Sequence, residues 1–458
     1  MTPRRHACST SNAPSRLMQA VLRLLFIFSI APFSTFGFAQ SSCPDLSPFY
    51  GQGENTDWLQ VSNRLEPLQQ LCLNNAEYYA LYGAAELNQG NAPEAAELLE
   101  RALLLDPDNG SAQIDYSQAL FVQGQLFTAL EINEQLIGRQ DLPSDLRPGL
   151  EERQQFWESF TRDRDSSFDL LAGYDNNLNS APDSSLINLT LSGETIPLEL
   201  SSEFQATSGP YLNFRLGSRF RQLAPLHQHN WLLDMRGRFS EDTDSDLLQL
   251  DGRYTFIRPS RNHSWQLNGG VSHLLFGGSS LFTLGNLSAI YQPPVTATCR
   301  PFLGFALQNQ IFSTQKELNA IEGKISGGLN CPLQLGENSH QISAEIGALQ
   351  NNAADSERPG EDRDGWQLNF AWQFRALGGD VITQLSYTEL NDDEGYSPLL
   401  ANGAKRWLRR SYGLVQYRRP LRSNLVLIAN LFHQDQDSNL ELFTSLDTTF
   451  EIGISYAW

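Results

Sequence analysis

Two hydrophobic periods divide the chain. From about residue 166 onward, large apolar residues fall at every second position, as in Trp366-Gln-Leu-Asn-Phe-Ala-Trp-Gln-Phe374, Leu212-Asn-Phe-Arg-Leu-Gly-Ser-Arg-Phe220 and Leu248-Gln-Leu-Asp-Gly-Arg-Tyr-Thr-Phe256. A period of two sends alternate side chains to opposite faces of a strand. Residues 40–160 read as helices instead. They carry a self-similarity at a spacing of 34: Gly83 matches Ser117, Leu87 matches Phe121, Gly90 matches Gly124 and Ala95 matches Ala129. Small residues at 83 and 95 let the two helices of a hairpin approach closely. Asn88-Gln-Gly90 and Val122-Gln-Gly124 supply the turns, and Asp106-Pro107-Asp108 ends a helix that proline cannot continue.

Alternation fits a soluble sandwich as well as a barrel, so other features must choose. The polar face of the strands carries Asn, Gln, Arg and Asp, which suits a wet lumen. The region divides into an even number of strands, 14, beginning near 166, 209, 230, 246, 263, 280, 299, 317, 340, 364, 379, 405, 424 and 446. Connections alternate in kind. Pro259–Asn262, Leu335–Asn338, Leu377–Gly379 and Leu421–Asn424 are short; 178–207, 353–363 and 391–404 are long and acidic. Short turns on one rim and long loops on the other predict a transmembrane antiparallel β-barrel over 161–458. The chain ends with apolar residues at alternate positions, Phe450, Ile452, Ile454, Tyr456 and Trp458. This resembles the assembly signal of outer-membrane proteins and implies the barrel-assembly machinery as a partner.

The first 39 residues read as a leader. Arg4, Arg5 and Arg16 form a positive start, Ala20–Pro32 an apolar stretch broken by Arg23, and Gly37-Phe38-Ala39 a small-x-small cleavage site. The apolar run is too short for a membrane anchor, and Gln40-Ser41-Ser42 before Cys43 makes a poor lipobox. The formal charge is −20, although residues 1–39 hold four arginines and no acid. So acidic a chain is excluded as a nucleic-acid binder, because nothing dense neutralises phosphate. The helical part is the more acidic, with 21 acids against 7 bases over 40–165.

The helical period resembles the tetratricopeptide repeat through Gly83, Ala95, Leu99, Ala102 and Pro107, and again through Ser117, Leu120 and Ala129. Glu86 and Asn133 depart from it, standing where large apolar residues are usual. Flanking helices around Trp58–Cys72 and Leu146–Phe160 are expected to cap the two repeats. Such grooves usually bind peptides; a plain helical spacer is the alternative.

No catalytic, cofactor or metal constellation is legible. G-x-S-x-G and H-E-x-x-H are absent, and Phe276-Gly-Gly-Ser-Ser280 lacks the lysine and helix of a phosphate cradle. His227 and His229 sit two apart in an expected short turn without further ligands. The chain therefore does not read as an enzyme. Arg215, Arg219, Arg221, Arg236, Arg238 and Arg253, on the second to fourth barrel strands, form a basic ladder toward the lumen, with Asp234, Asp251 and Glu451 as counter-charges. It either braces the wall by ion pairing or favours anions and acidic clients. Four cysteines follow the leader: Cys43, Cys72, Cys299 and Cys331. Cys299 and Cys331 fall at the same rim of neighbouring strands, within reach of a disulfide. Cys43 and Cys72 both lie in the helical part. Two disulfides, Cys43–Cys72 and Cys299–Cys331, are expected over free thiols.

A leader, a short repeat region and a 14-strand barrel together resemble the surface lipoprotein assembly modifier family. The segment Ala172-Gly-Tyr-Asp-Asn-Asn-Leu-Asn179 is similar to a Gly-Tyr-Asp-Ser/Asn-Asn-Val-Asn segment of that family and of other tetratricopeptide-barrel proteins. The resemblance implies a barrel among outer-membrane lipids, a periplasmic repeat domain over 40–160, and a role in moving client lipoproteins to the cell surface. Exopolysaccharide export porins, which join repeats to a barrel, and passive outer-membrane channels are the rival readings.

Overall fold

The computed structural model describes residues 43–458 except 51–55, 261–262, 295–297 and 337. The leader lies outside the described residues. Helices α1 (Trp58–Leu65), α2 (Ala76–Asn88), α3 (Ala92–Leu105), α4 (Gly110–Val122), α5 (Leu126–Gly138) and α6 (Arg147–Ser159) come first. The Asn75 side chain caps α2 by accepting from the Tyr78 amide, and Asn109 caps α4 by accepting from the Ala112 amide. The close helix approach expected at Gly83 is present: a Cβ there would stand 2.5 Å from Leu99 Cγ and 3.2 Å from the Ala95 carbonyl. Gly90 and Gly124 turn the two hairpins at φ +87° and +78°, a left-handed conformation that favours glycine.

The two departures from the repeat pattern have a physical reason. Glu86 is buried and accepts from the Ser62 hydroxyl of α1 and from Asn91 Nδ2 at 2.8 Å. Asn133, fully buried, donates to the Leu150 carbonyl and to Gln154 Oε1 of α6, and accepts from Arg153 Nε at 2.9 Å. Polar residues thus stand where the repeat stack stops and the flanking helices dock through hydrogen bonds.

The barrel begins with β1 (Arg162–Asp175), followed by a small hairpin, β2 (Leu186–Leu191) and β3 (Glu194–Glu199). The wall continues through β4 (Gly209–Leu223), β5 (Gln228–Ser240), β6 (Leu247–Pro259), β7 (Ser264–Phe276), β8 (Ser279–Gln292) and β9 (Arg300–Phe312). It is completed by β10 (Ala320–Leu335), β11 (Asn338–Ala353), β12 (Arg363–Ala376), β13 (Gly379–Gly395), β14 (Lys405–Arg422), β15 (Leu425–Ser438) and β16 (Ser445–Ala457). Fourteen antiparallel strands close on one another, β1 pairing with both β4 and β16. The Trp458 amide donates to the Ser166 carbonyl at 3.0 Å, and the Ser166 amide donates back at 3.1 Å, fastening the seam.

Two expectations need correction. The first strand starts at Arg162, not near 166: Arg162-Asp-Arg-Asp165 has no apolar face to announce a strand, yet Asp163 and Asp165 bond Arg221 and Arg219 of β4. The long connection 178–207 contains the β2–β3 hairpin, turned by Ser192 and Gly193 at φ +54° and +84°.

Register puts Leu170, Leu212, Leu216, Leu233, Phe450, Ile452 and Ile454 on one face of the wall, and all are exposed. Near the short-turn rim this face carries an aromatic girdle, with Trp231 beside Tyr254 and Trp265 beside Tyr291 at ring separations of 5.5 and 4.4 Å. An apolar belt edged by aromatics is built for a bilayer. His229 belongs to this girdle. It is the second residue of β5 rather than lying in a turn, stacks on Trp231, and its Nδ1 meets the Tyr254 hydroxyl at 2.7 Å.

Both expected disulfides are present: Cys43–Cys72 with Cα atoms 4.7 Å apart and Cys299–Cys331 with Cα atoms 4.1 Å apart.

Candidate functional site

The lumen is built from the alternate positions left inward by the apolar belt. Arg215 and Arg236 are cross-strand neighbours, as are Asp234 and Asp251, and register places Arg219, Arg221, Arg238 and Arg253 on the same face. Five of the six arginines are ion-paired. Arg221 meets Asp163, Arg219 meets Asp165, Arg215 meets Asp234, Arg236 spans Asp234 and Asp251, and Arg238 meets Asp175. Arg253 makes no ion pair among the described residues. Glu451 makes no ion pair among the described residues; it accepts instead from the Tyr211 hydroxyl, Asn213 and Asn430 at 2.7–2.8 Å. The ladder is therefore a set of charge-assisted bonds across strands that largely cancels its own charge. Amides and hydroxyls share this face, as in the chain Thr255, Asn268 and Ser288, and Lys324 pairs there with Glu345. A cavity of about 370 Å³ joins Arg236 and Arg238 to Leu414, Phe432 and Glu451, residues of non-adjacent strands.

The segment Gly173–Asn179 roots the longest loop in this lumen. Gly173 leaves room for the Tyr211 ring, whose Cζ would lie 2.6 Å from an added Cβ, so that Tyr211 reaches Glu451 across β1. Asp175 is buried and accepts from Arg238 and from the Asn177 amide. Arg238 also donates to the Leu178 and Ser245 carbonyls. Asn176 accepts from the Thr448 amide, Asn177 donates to the Ala181 and Leu446 carbonyls, and Asn179 donates to the Gln205 carbonyl. Leu178 is buried among them. The three asparagines of the segment thus each fix a backbone group of a neighbouring strand or loop.

Beyond this root, β2 bridges two other long-rim loops. Leu189 pairs with Leu400, the Thr190 amide donates to the Leu399 carbonyl at 2.8 Å, and Glu441 accepts from the Asn188 amide at 2.7 Å. Nearby, Asp392 is buried between Arg363 and Arg406, and Arg406 stacks between Tyr396 and Phe443. The long loops therefore form one connected cap on their rim.

In the repeat domain, Arg153 lies over the Trp157 ring and bonds Ser117 and Asn133. Burial lowers its pKa to about 10 and raises that of Asp115 to about 6, with the Arg153 charge opposing the latter shift. A raised carboxylate makes the native state bind the proton more tightly, so its destabilisation grows as pH rises from about 4 through 6. Asp115→Asn should therefore raise the melting midpoint of the repeat domain at pH 7.5, by about 1 kcal/mol of stability, and leave it unchanged at pH 4. A thermal melt at both values checks this, and equal gains at the two would count against it.

The described residues hold no group of three or more His, Cys, Asp and Glu placed to bind a metal ion. No described helix is long and apolar enough to cross a membrane. The fold defines a transmembrane β-barrel with an appended helical-repeat domain. Residues 86–145 match the tetratricopeptide repeat model. The barrel is similar to an anion-selective porin from Comamonas acidovorans, at 10% identity over 65% of this chain and 99% of the porin, with a TM-score of 0.35. It is also similar to the outer membrane channel DcaP of Acinetobacter baumannii (9% identity, 65% and 98% covered, TM-score 0.35) and to a bacterial polysaccharide outer membrane secretin (8%, 64% and 98%, TM-score 0.30). No curated protein matches the chain in sequence.

Proposed function

We propose that the protein lies in the outer membrane with its repeat domain in the periplasm, and that it helps lipoproteins reach the cell surface. The supporting observation is the junction. Helix α6 ends at Ser159 and β1 begins at Arg162, so the helical domain joins the wall at its short-turn rim. A client peptide held by the repeats is thereby presented to a polar passage. The root segment Gly173–Asn179, which carries the family resemblance, then sets the loop at the far rim. The self-cancelling ladder disfavours a lumen selective for anions alone.

The barrel-assembly machinery is the proposed route of insertion, read from the alternation Phe450–Trp458. No catalytic role is proposed. The test is deletion followed by staining of surface lipoproteins on intact cells. Loss of surface lipoprotein with normal total lipoprotein is the expected result. Unchanged surface lipoprotein together with loss of a secreted polymer would overturn it in favour of polysaccharide export.

A further inference from the structure

A cavity of about 840 Å³ opens on the outer, bilayer-facing wall of the barrel. Its floor is made by Gly252 of β6, Gly269 of β7 and Gly285 of β8, and its edges by Leu233 and Leu287, which are 67% and 65% exposed. A second cavity of about 550 Å³ shares Leu233 and Gly252 and extends the depression to Leu216. One row of cross-strand neighbours, Ser218, Leu233, Gly252, Val271, Gly285 and Asn309, follows it over β4–β9. Five strand spacings make this row about 24 Å long. Because barrel strands tilt, a row across them climbs obliquely through the bilayer.

The barrel does not need these glycines for its own packing. A Cβ at Gly285 would meet nothing within 4 Å; at Gly252 it would meet only Leu233 Cδ2 at 3.8 Å, and at Gly269 Leu287 Cδ2 at 3.3 Å. Glycine inside a strand gives up packing and backbone order, and it marks places where another molecule comes close. Outward glycines elsewhere, such as Gly323 and Gly413, lie singly beside Leu307 and Leu385, whereas Gly252, Gly269 and Gly285 fall on three successive strands. The depression is apolar along its middle, with Ser218 and Asn309 at its two ends, and is continuous with the lipid-facing belt. It is also sunk between single leucine ridges, on which the convex wall of a second barrel would rest without reaching the floor.

We propose that this groove holds an acyl chain of a bilayer phospholipid in a fixed position. The test uses the full protein in vesicles of phosphatidylethanolamine and phosphatidylglycerol, doped with phosphatidylcholine carrying a diazirine in its acyl chain. After illumination, peptides from 247–292 should be labelled at least about fivefold more than peptides from 405–457. Gly252→Leu/Gly285→Leu should bring that ratio close to one while the barrel stays heat-modifiable. Should the pair impair folding, Gly285→Leu alone serves, since nothing stands in its way. Even labelling around the wall, or labelling that survives filling, would mean ordinary boundary lipid and overturn the proposal. Disulfide-linked barrel dimers through Val271→Cys would overturn it as well, by giving the groove to a second copy.

Discussion

Gly453→Val should all but abolish folded barrel, lowering the heat-modifiable form by at least about tenfold. Gly453 lies in β16 opposite Leu171 at the closing seam. An added Cβ would stand 2.0 Å from the Leu170 carbonyl oxygen and 2.6 Å from Leu171 Cα. Backbone cannot yield there without breaking the β1–β16 ladder, and an open barrel edge in lipid leaves peptide groups unbonded at several kcal/mol each. Gly323→Ala is the matched control, because its Cβ would meet Leu307 Cδ2 only at 3.8 Å and the Gln350 carbonyl at 4.0 Å. Heat-shifted mobility in gels reads both variants. Normal folding of Gly453→Val would show that the seam closes differently.

Arg238→Ala should free the 176–208 loop without unfolding the wall. Arg238 is the hub of the loop's root, bonding buried Asp175 and the Leu178 and Ser245 carbonyls. Its removal strands a buried carboxylate, a loss of about 3–5 kcal/mol. Release of the loop, not global unfolding, is the cheapest relief. Limited proteolysis of purified, folded protein should then cut within 176–208 at least about tenfold faster, and single-channel conductance in planar bilayers should rise. Arg238→Lys, which keeps the charge but not the fork, should fall between the two. Cleavage no faster than in the unaltered protein would show that the hairpin's links to Leu399 and Glu441 suffice to hold it.

The alternating sequence made most of the wall legible. Strand starts read near 209, 379 and 405 are observed at Gly209, Gly379 and Lys405, because a half-buried membrane strand has one obligatory period. The disulfide Cys299–Cys331 followed from the same map. Charged ends escaped it: Arg162–Asp165 is strand only by virtue of partners on β4, which no local pattern reports. The hairpin was within reach, since Leu186-Ile-Asn-Leu-Thr-Leu191 alternates and Ser192-Gly193 is a two-residue turn signal. The arginines could be placed on one face from sequence. Their neutralisation by Asp163, Asp165 and Asp175 could not, because it depends on which strand lies beside which.

Only Phe160 and Thr161 separate α6 from β1, and both are engaged: their amides donate to Trp157 and Glu158, and the Thr161 carbonyl accepts from the Leu223 amide at 2.7 Å. A Gly/Ser tether would act as a slack spring; this joint acts as a crank. Force applied to the repeats runs along β1 as shear, against hydrogen-bond ladders to β4 and β16 that lie across the direction of pull. Ladders loaded this way must yield together, not one bond at a time, so a pull on the helical domain reaches the barrel wall undamped.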